Sequence, residues 1–358
     1  MKKSLLILLF TCWALFFAAF RPVMPFAAET AAFPDGTPVT GGRILMGTIG
    51  EPSNLIPYMA SDSASGEITG LLYVAPLKYD KDLNVVPWAA ASYEVLEGGR
   101  LLRFVLRDDI RWEDGVPLTA DDVEFTYKLM IDPKTPTAYS GDFLAIESFK
   151  KTGRLSFEVC YAKPFARSLM TWMGAILPKH VLEGQDIMTT PVARKPIGAG
   201  PYRLAKWDAG SMLTLTASDT YFEGRPNLDE VVYRIIPDPS TMFLELKAGK
   251  LDMMSLSPQQ YLRQTQGPQW ERDWRKYRYL SFSYTFLGFN LEHPFFKDVR
   301  VRRAISMAID RQSLIDGVLL GQGVPTVGPY KPGTWAYNDK LTPVRQDVDE
   351  ARRLLDEA

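Results

Sequence analysis

"LLRFVLRDDIRWEDGVPLTADDVEFTYKLM", residues 101–130, holds seven carboxylates between positions 107 and 124: Asp108, Asp109, Glu113, Asp114, Asp121, Asp122 and Glu124. A metal cage, an acid/base pair and plain scaffold are the three readings of such a density. Leu102, Phe104 and Leu106 alternate with Arg103, Val105 and Arg107, the period of a half-buried strand. "EDGVP" then reads as a turn, with Gly115 free to take positive φ and Pro117 fixing the exit. Thr119 reads as a helix N-cap, with Asp121 and Asp122 in the first turn, where carboxylates meet exposed backbone N–H groups. Val123, Phe125, Thr126, Leu129 and Met130 carry the helix onward. An EF-hand register fails: with Gly115 at position 6, Trp112 and Ile110 occupy positions 3 and 1, which need oxygen ligands. A catalytic carboxylate pair stays open, but most of these acids already have a turn or capping role. The stretch reads as scaffold.

The whole chain has 358 residues, enough for two domains, and is 46% hydrophobic and 12% aromatic, so a large core is expected. Its net charge of -1 argues against a nucleic-acid surface, which would be basic. The first residues are a different material. Lys2 and Lys3 precede a sixteen-residue run from Leu5 to Phe20 without a charge, then Pro22, Pro25 and the small residues Ala27 and Ala28. That is the order of a cleavable secretory signal over 1–28. The run is shorter than the 18 or so residues of a spanning helix, although an uncleaved anchor is the alternative. Leu9, Phe10 and Thr11 before Cys12 do not make a lipobox. Cleavage after Ala28 removes Lys2, Lys3 and Arg21 and no acid, so the net charge becomes -1 - 3 = -4. Cys160 is then the single cysteine, and no intrachain disulfide can form.

Elsewhere, "GRILMGTI" reads as a strand, and "RLSFEVCYA" alternates Leu155, Phe157, Val159 and Tyr161, with Cys160 on the other face. "PSTMFLELKAGKLDMM" reads as a short helix, a stop at Gly249 and a buried strand. "KYRYLSFSYTFLGFN", 276–290, is aromatic on both faces, as in a strand buried on both sides. In "DVRVRRAISMAID", Val301, Ala304, Ile305, Ala308 and Ile309 form one packed helical face, leaving Arg300, Arg302 and Arg303 off it. Residues 29–40 read as a flexible leader and "DVDEARRLLDEA" as a final amphipathic helix.

Catalytic and metal signatures are missing. His180 and His293 lie far apart and outside metal-ligand spacing. No G-x-S-x-G elbow occurs. Arg203 spoils a dinucleotide fingerprint begun by "GAG" at 198–200, and Leu244 spoils a P-loop ending at "AGK". Neither an enzyme nor a cofactor is expected.

Residues 101–130 resemble the strand, "DG" turn and "LTA-D-DV-F" helix of the family 5 extracellular solute-binding proteins, the oligopeptide, dipeptide and nickel binders of ABC importers. Three further stretches resemble the family in the same order. They are "EPSNLIPYMASDSASGEITGLLYVAPLKYD" (51–80), with Ile56 where the family has Asp, "PIGAGPYRLAKWDAGSMLTLTASDTYFEGRPNLDEVVYRII" (196–236), and "LGFNLEHPFFKDVRVRRAISMAIDRQSLI" (287–315). The resemblance runs from about Arg43 to the last residue. It implies an α/β, two-lobed periplasmic-binding-protein architecture of type II (Venus-flytrap) with mixed sheets. Lobe I would take 29–60 and 196–290, and an accessory subdomain 61–195. Residues 291–358 would begin a second ligand-binding lobe, which would be incomplete because family members are longer. The implied function is capture of short peptides in the periplasm for the membrane permease subunits of an ABC importer. Nickel-chelate or oligosaccharide binding, a secreted hydrolase, and a transporter-independent sensor or chaperone are the alternatives.

The resemblance also implies site residues. The loop after the opening segment, Ser61, Asp62, Ser63 and Ala64, matches the family's cleft-lining loop, and Tyr139 matches a tyrosine that approaches the peptide. Tyr284 and Asn290 are added by their position near the expected hinge. The family's acidic partner for a peptide amino terminus would fall beyond residue 358.

Overall fold

The structure, a computed structural model, describes residues 38–358. The expected signal at 1–28 lies outside the described residues. Two compact units are present, Gly36–Ser255 and, among the described residues, 256–358.

The first unit carries three sheets. In one, β1 (Arg43–Thr48) runs parallel to β10 (Glu230–Ile235), which pairs antiparallel with β9 (Met212–Ala217), itself antiparallel to β8 (Tyr202–Asp208). This is the mixed sheet expected. Helix Pro239–Lys247, capped by Asp238 and ending before Gly249 at φ 70°, lies against β1. Residues after it were expected to form a strand; they pair with β1 through a parallel Met46–Met253 bridge and backbone bonds from Asp252 N to Leu45 O (2.8 Å) and from Gly47 N to Met253 O (3.1 Å), without extending into a strand. A short hairpin joins β2 (Leu77–Tyr79) and β3 (Val85–Pro87).

The third sheet is antiparallel, in the order β4 (Ala90–Leu96), β5 (Leu101–Leu106), β7 (Ser156–Tyr161), β6 (Ile146–Lys151). Alternation sends Leu102, Phe104 and Leu106 of β5 and Phe157, Val159 and Tyr161 of β7 into the core. Phe104 stacks on Phe157 at 4.7 Å between centroids, and Phe149 on Phe157 at 5.2 Å, with Trp172 tilted against all three. Such aromatic clusters contribute area burial plus about 0.5–1.5 kcal/mol per well-placed pair.

Helix α1 (Ser63–Leu72) follows the loop after β1, and α2 (Ala120–Ile131) follows the acidic turn. The sequence "GAG" at 198–200 is explained by close packing on α1. A Cβ on Gly198 would stand 2.0 Å from the Leu72 carbonyl oxygen, and Gly200 N donates to that oxygen at 2.8 Å. Only glycine lets the backbones approach this closely.

In the second unit, Val299–Ala308 and Val348–Asp356 pack through Val301, Ala304 and Ala351, and Asp347 N donates to Met307 O at 2.9 Å. The first of these helices stops at Ala308, earlier than its apolar period suggests, because Asp310 caps the next helix, Arg311–Gly317. Arg300 pairs with Asp298 at 2.5 Å, and Arg302 donates to the carbonyls of Phe296 and Lys297. The units part between Ser255 and Leu256.

Residues 276–290 correct the sequence reading. They form no strand, and Tyr279 and Phe286 are 75% and 72% exposed. A two-sided buried strand needs ladder partners, and among the described residues no strand pairs with this segment.

Candidate functional site

The acidic stretch is consumed by its own backbone and neighbours. Asp109 holds Arg107 through two hydrogen bonds, at 2.9 and 2.6 Å, which lower its carboxyl below the usual range. Glu113 exchanges backbone and side-chain bonds with Gly198, and burial raises its carboxyl. Asp114 closes the turn by accepting from Val116 N and meets His180 Nε2 at 2.7 Å. Gly115 takes φ 89°, as the turn requires. Thr119 and Asp122 form a capping box, and Asp122 also accepts from Lys179 N at 3.0 Å. Asp121 pairs with Lys151 and Glu124 with Lys128. The expected scaffold role is what the geometry shows. Among the described residues, no three His, Cys, Asp or Glu side chains gather as a metal-holding group.

A cleft of about 340 Å³ opens elsewhere in the same unit, walled by the loop after β1, by α1, and by Trp88, Tyr139 and residues 173–175. Its construction starts at Leu55 and Ile56, both fully buried, with Leu55 N bonded to Ala193 O at 3.0 Å and Ile56 N to Asn54 Oδ1 at 2.7 Å. These anchors force the next turn, in which Tyr58 adopts φ 73°. Left-handed backbone is costly for a bulky side chain, by roughly 1–2 kcal/mol, and persists only where surroundings over-determine it. Here they do. Thr137 Oγ1 donates to Tyr58 O at 2.8 Å, and the Tyr58 hydroxyl donates to Ala175 O at 2.9 Å. Its ring meets Tyr139 and Phe143 edge-on, each at 6.0 Å. Burial raises the Tyr58 hydroxyl well above its ordinary value, so it stays a donor. Gly174 makes room: a Cβ there would stand 2.2 Å from the Tyr58 hydroxyl.

Tyr139, at the N-terminus of helix α3 (Ser140–Leu144), lines the cleft and donates to Ala60 O at 3.4 Å. Trp88 forms another wall. Its indole N–H is shared between Tyr221 Oη (3.0 Å) and Glu223 Oε2 (3.2 Å), and Glu223 is held by Lys78 at 2.6 Å.

The residues expected from sequence fall in three places. Tyr139 lines the cleft. Ser61, Asp62 and Ser63 lie beside it without lining it, and Ala64 faces a separate void of about 10 Å³ beneath α1. Asp62 is the N-cap of α1: it accepts from Ser65 N (2.7 Å), Ser65 Oγ (2.8 Å) and Ser53 Oγ (2.5 Å). Burial raises its carboxyl, but these bonds outweigh that and leave it below the ordinary value. Tyr284 and Asn290 belong to the other compact unit. Tyr284 packs on Phe286 at 5.5 Å, and Asn290 caps a turn by accepting from Glu292 N. Tyr58, Trp88 and Gly174 were not singled out from sequence. Tyr58 sits two residues beyond the quoted Ile56, but no local signal announces a left-handed tyrosine.

Residues 84–358 match the model of the bacterial extracellular solute-binding proteins, family 5. The chain belongs to that family. Among its family 5 relatives is the oligopeptide-binding protein AppA of Bacillus subtilis, 32% identical over 331 residues, covering 90% of this chain and 60% of AppA. Protein XP55 of Streptomyces lividans is 31% identical over 339 residues, covering 93% of this chain and 60% of XP55. The chain thus spans about 60% of the length of either relative. The structure of B. subtilis AppA in complex with a nonapeptide superposes with TM-score 0.80 at 30% identity, covering 90% of this chain and 64% of that one. NikZ from Campylobacter jejuni in complex with Ni(L-His) gives TM-score 0.77 at 25% identity, covering 88% and 62%. The fold is that of the type II periplasmic binding proteins, with mixed α/β lobes as expected.

Proposed function

We propose that this chain is an exported solute-binding protein that captures short peptides and hands them to the permease subunits of an ABC-type importer. The observation that carries the reading is its likeness to AppA, named as oligopeptide-binding and seen with a nonapeptide. The 340 Å³ cleft adds to it, being within the about 300–1,000 Å³ typical of ligand sites. An extended peptide offers a backbone donor and acceptor at every residue, so main-chain hydrogen bonds can hold it whatever its sequence. Export to the periplasm rests on the signal order at 1–28 and on the family's extracellular character. Among the described residues no helix is long and apolar enough to cross a membrane.

In this reading the sheet β1-β10-β9-β8 is the frame of lobe I, the sheet β4-β5-β7-β6 belongs to its accessory subdomain, and residues 291–358 begin a second lobe. Tyr139 contacts ligand, as do Tyr58 and Trp88. Ser61, Asp62, Ser63, Ala64, Tyr284 and Asn290 are further ligand contacts in this reading.

Native mass spectrometry of the exported chain, purified without denaturant, tests the reading. Added masses that fragment as short peptides are expected. A chain that stays bare when mixed with a peptide library overturns it. The likeness to NikZ favours one second reading, a nickel chelate, which would appear as an added mass carrying nickel.

A further inference from the structure

Most of the polar side-chain atoms of the cleft wall are already committed to protein partners. The Tyr58 hydroxyl serves Ala175 O, the Tyr139 hydroxyl serves Ala60 O, and the Trp88 indole N–H serves Tyr221 and Glu223. Ser65 Oγ donates to Asp62 while accepting from Ser53 N, and Thr69 Oγ1 donates to Ser65 O. The Tyr73 hydroxyl, on a residue that lines the cleft, is buried and has no hydrogen-bond partner. No charged side chain lines the cleft. What the wall presents to a ligand is therefore ring faces and aliphatic carbon, from Tyr58, Trp88, Tyr139, Ile56, Val74 and Met173.

A charged group placed there would lose its hydration and gain no oppositely charged partner, a cost of several kcal/mol. An apolar or aromatic group would gain burial and edge or face contacts with three rings. The volume, at the small end for ligand sites, suits one bulky side chain rather than a whole peptide. The wall is also preorganised: the left-handed Tyr58 is fixed by Thr137, Ala175 and the space left at Gly174, so ordering it costs the ligand little.

We propose that the cleft is a slot for one uncharged apolar or aromatic side chain of the bound peptide, with Tyr58 and Trp88 as specificity-determining residues. This rests on the peptide-binding reading above. Glu223, itself held by Lys78, accepts from the Trp88 indole N–H at the edge of the wall.

The test is calorimetry of the full exported chain with pentaalanine and a scan placing Phe, Leu, Lys or Glu at each position. At one position Phe and Leu are expected to bind about tenfold or more tighter than Lys or Glu. Trp88→Leu and Tyr58→Ala should flatten that preference, whereas Trp88→Phe, which keeps a ring but loses the N–H, should largely keep it. Thermal melts establish that each variant is folded, and whichever of Trp88→Leu and Tyr58→Ala is folded carries the comparison if the other is not. Peptides bound without an apolar preference, or with a preference unchanged in folded Trp88→Leu, overturn the slot and leave peptide capture standing. If no peptide binds, peptide capture fails. Free indole, followed by saturation-transfer NMR, then decides the slot: binding lost in Trp88→Leu supports its chemistry, and no binding overturns that too.

Discussion

The acidic stretch 107–124 and the cleft segment 54–60 lie in the same compact unit and use their side chains in opposite ways. The first is dense in groups that could do chemistry, and six of its seven carboxylates are occupied: by Arg107, by Gly198, by a turn and His180, by Lys151, by a capping box and by Lys128. The second contains no charged residue, yet it forms a wall of the cleft. Carboxylates satisfied by backbone N–H groups and paired cations have little left to offer a ligand. A tyrosine held against its backbone preference offers a fixed ring. In this chain the chemical density of a segment is a guide to scaffold, and an over-determined conformation is a guide to the site.

The contrast can be broken at several points, the largest effect first. Trp112, within the acidic stretch, is fully buried. Trp112→Ala should cost about 3–5 kcal/mol by cavity formation, a large part of the stability of an ordinary domain, read by chemical denaturation. A small loss would mean that the stretch is not core scaffold.

Next in size is Gly174→Ala. Its Cβ would displace the Tyr58 hydroxyl from Ala175 O, so roughly 1–3 kcal/mol of stability should go as an overpacking cost. Peptide affinity should fall with it. A stability loss with unchanged affinity would separate Tyr58 from the site.

Asp62→Ala should cost about 1 kcal/mol through loss of the α1 cap. The sign of its pH dependence follows from the lowered carboxyl. A depressed folded-state value gives stability that is present above the unfolded value, near 3.8, and is lost as pH falls through the folded value. The gap between wild type and Asp62→Ala should therefore be full at pH 6 and shrink below about pH 4, in melts across that range. A gap independent of pH would show that the carboxylate is not the source.

The smallest effect belongs to Asp109→Asn, which breaks an exposed pair with Arg107 worth about 0–1 kcal/mol. Ligand affinity should not move. A clear loss of binding there would return function to the acidic stretch.

Much of the first unit was legible in the sequence because its signals are local. The alternation of Leu102, Phe104 and Leu106, the turn at Gly115 and the cap at Thr119 each depend on residues a few positions apart. The cleft was legible only at Tyr139, through resemblance. Tyr58, Trp88 and Gly174 act across long separations: Tyr58 reaches Ala175, and Trp88 reaches Tyr221 and Glu223. No period or spacing encodes such contacts. Asp62 enters through the resemblance of its loop to the family's, and its bonds to Ser53 and Ser65 are contacts the sequence does not announce. Residues 276–290 misled because aromatic density implies burial only where a sheet exists to receive it.

Hydrogen exchange with and without a bound short peptide tests the central claim most directly. Protection is expected at 54–60, 137–139 and 173–175, with 107–124 unchanged. Protection concentrated in 107–124, with the cleft segments exchanging as before, would contradict it.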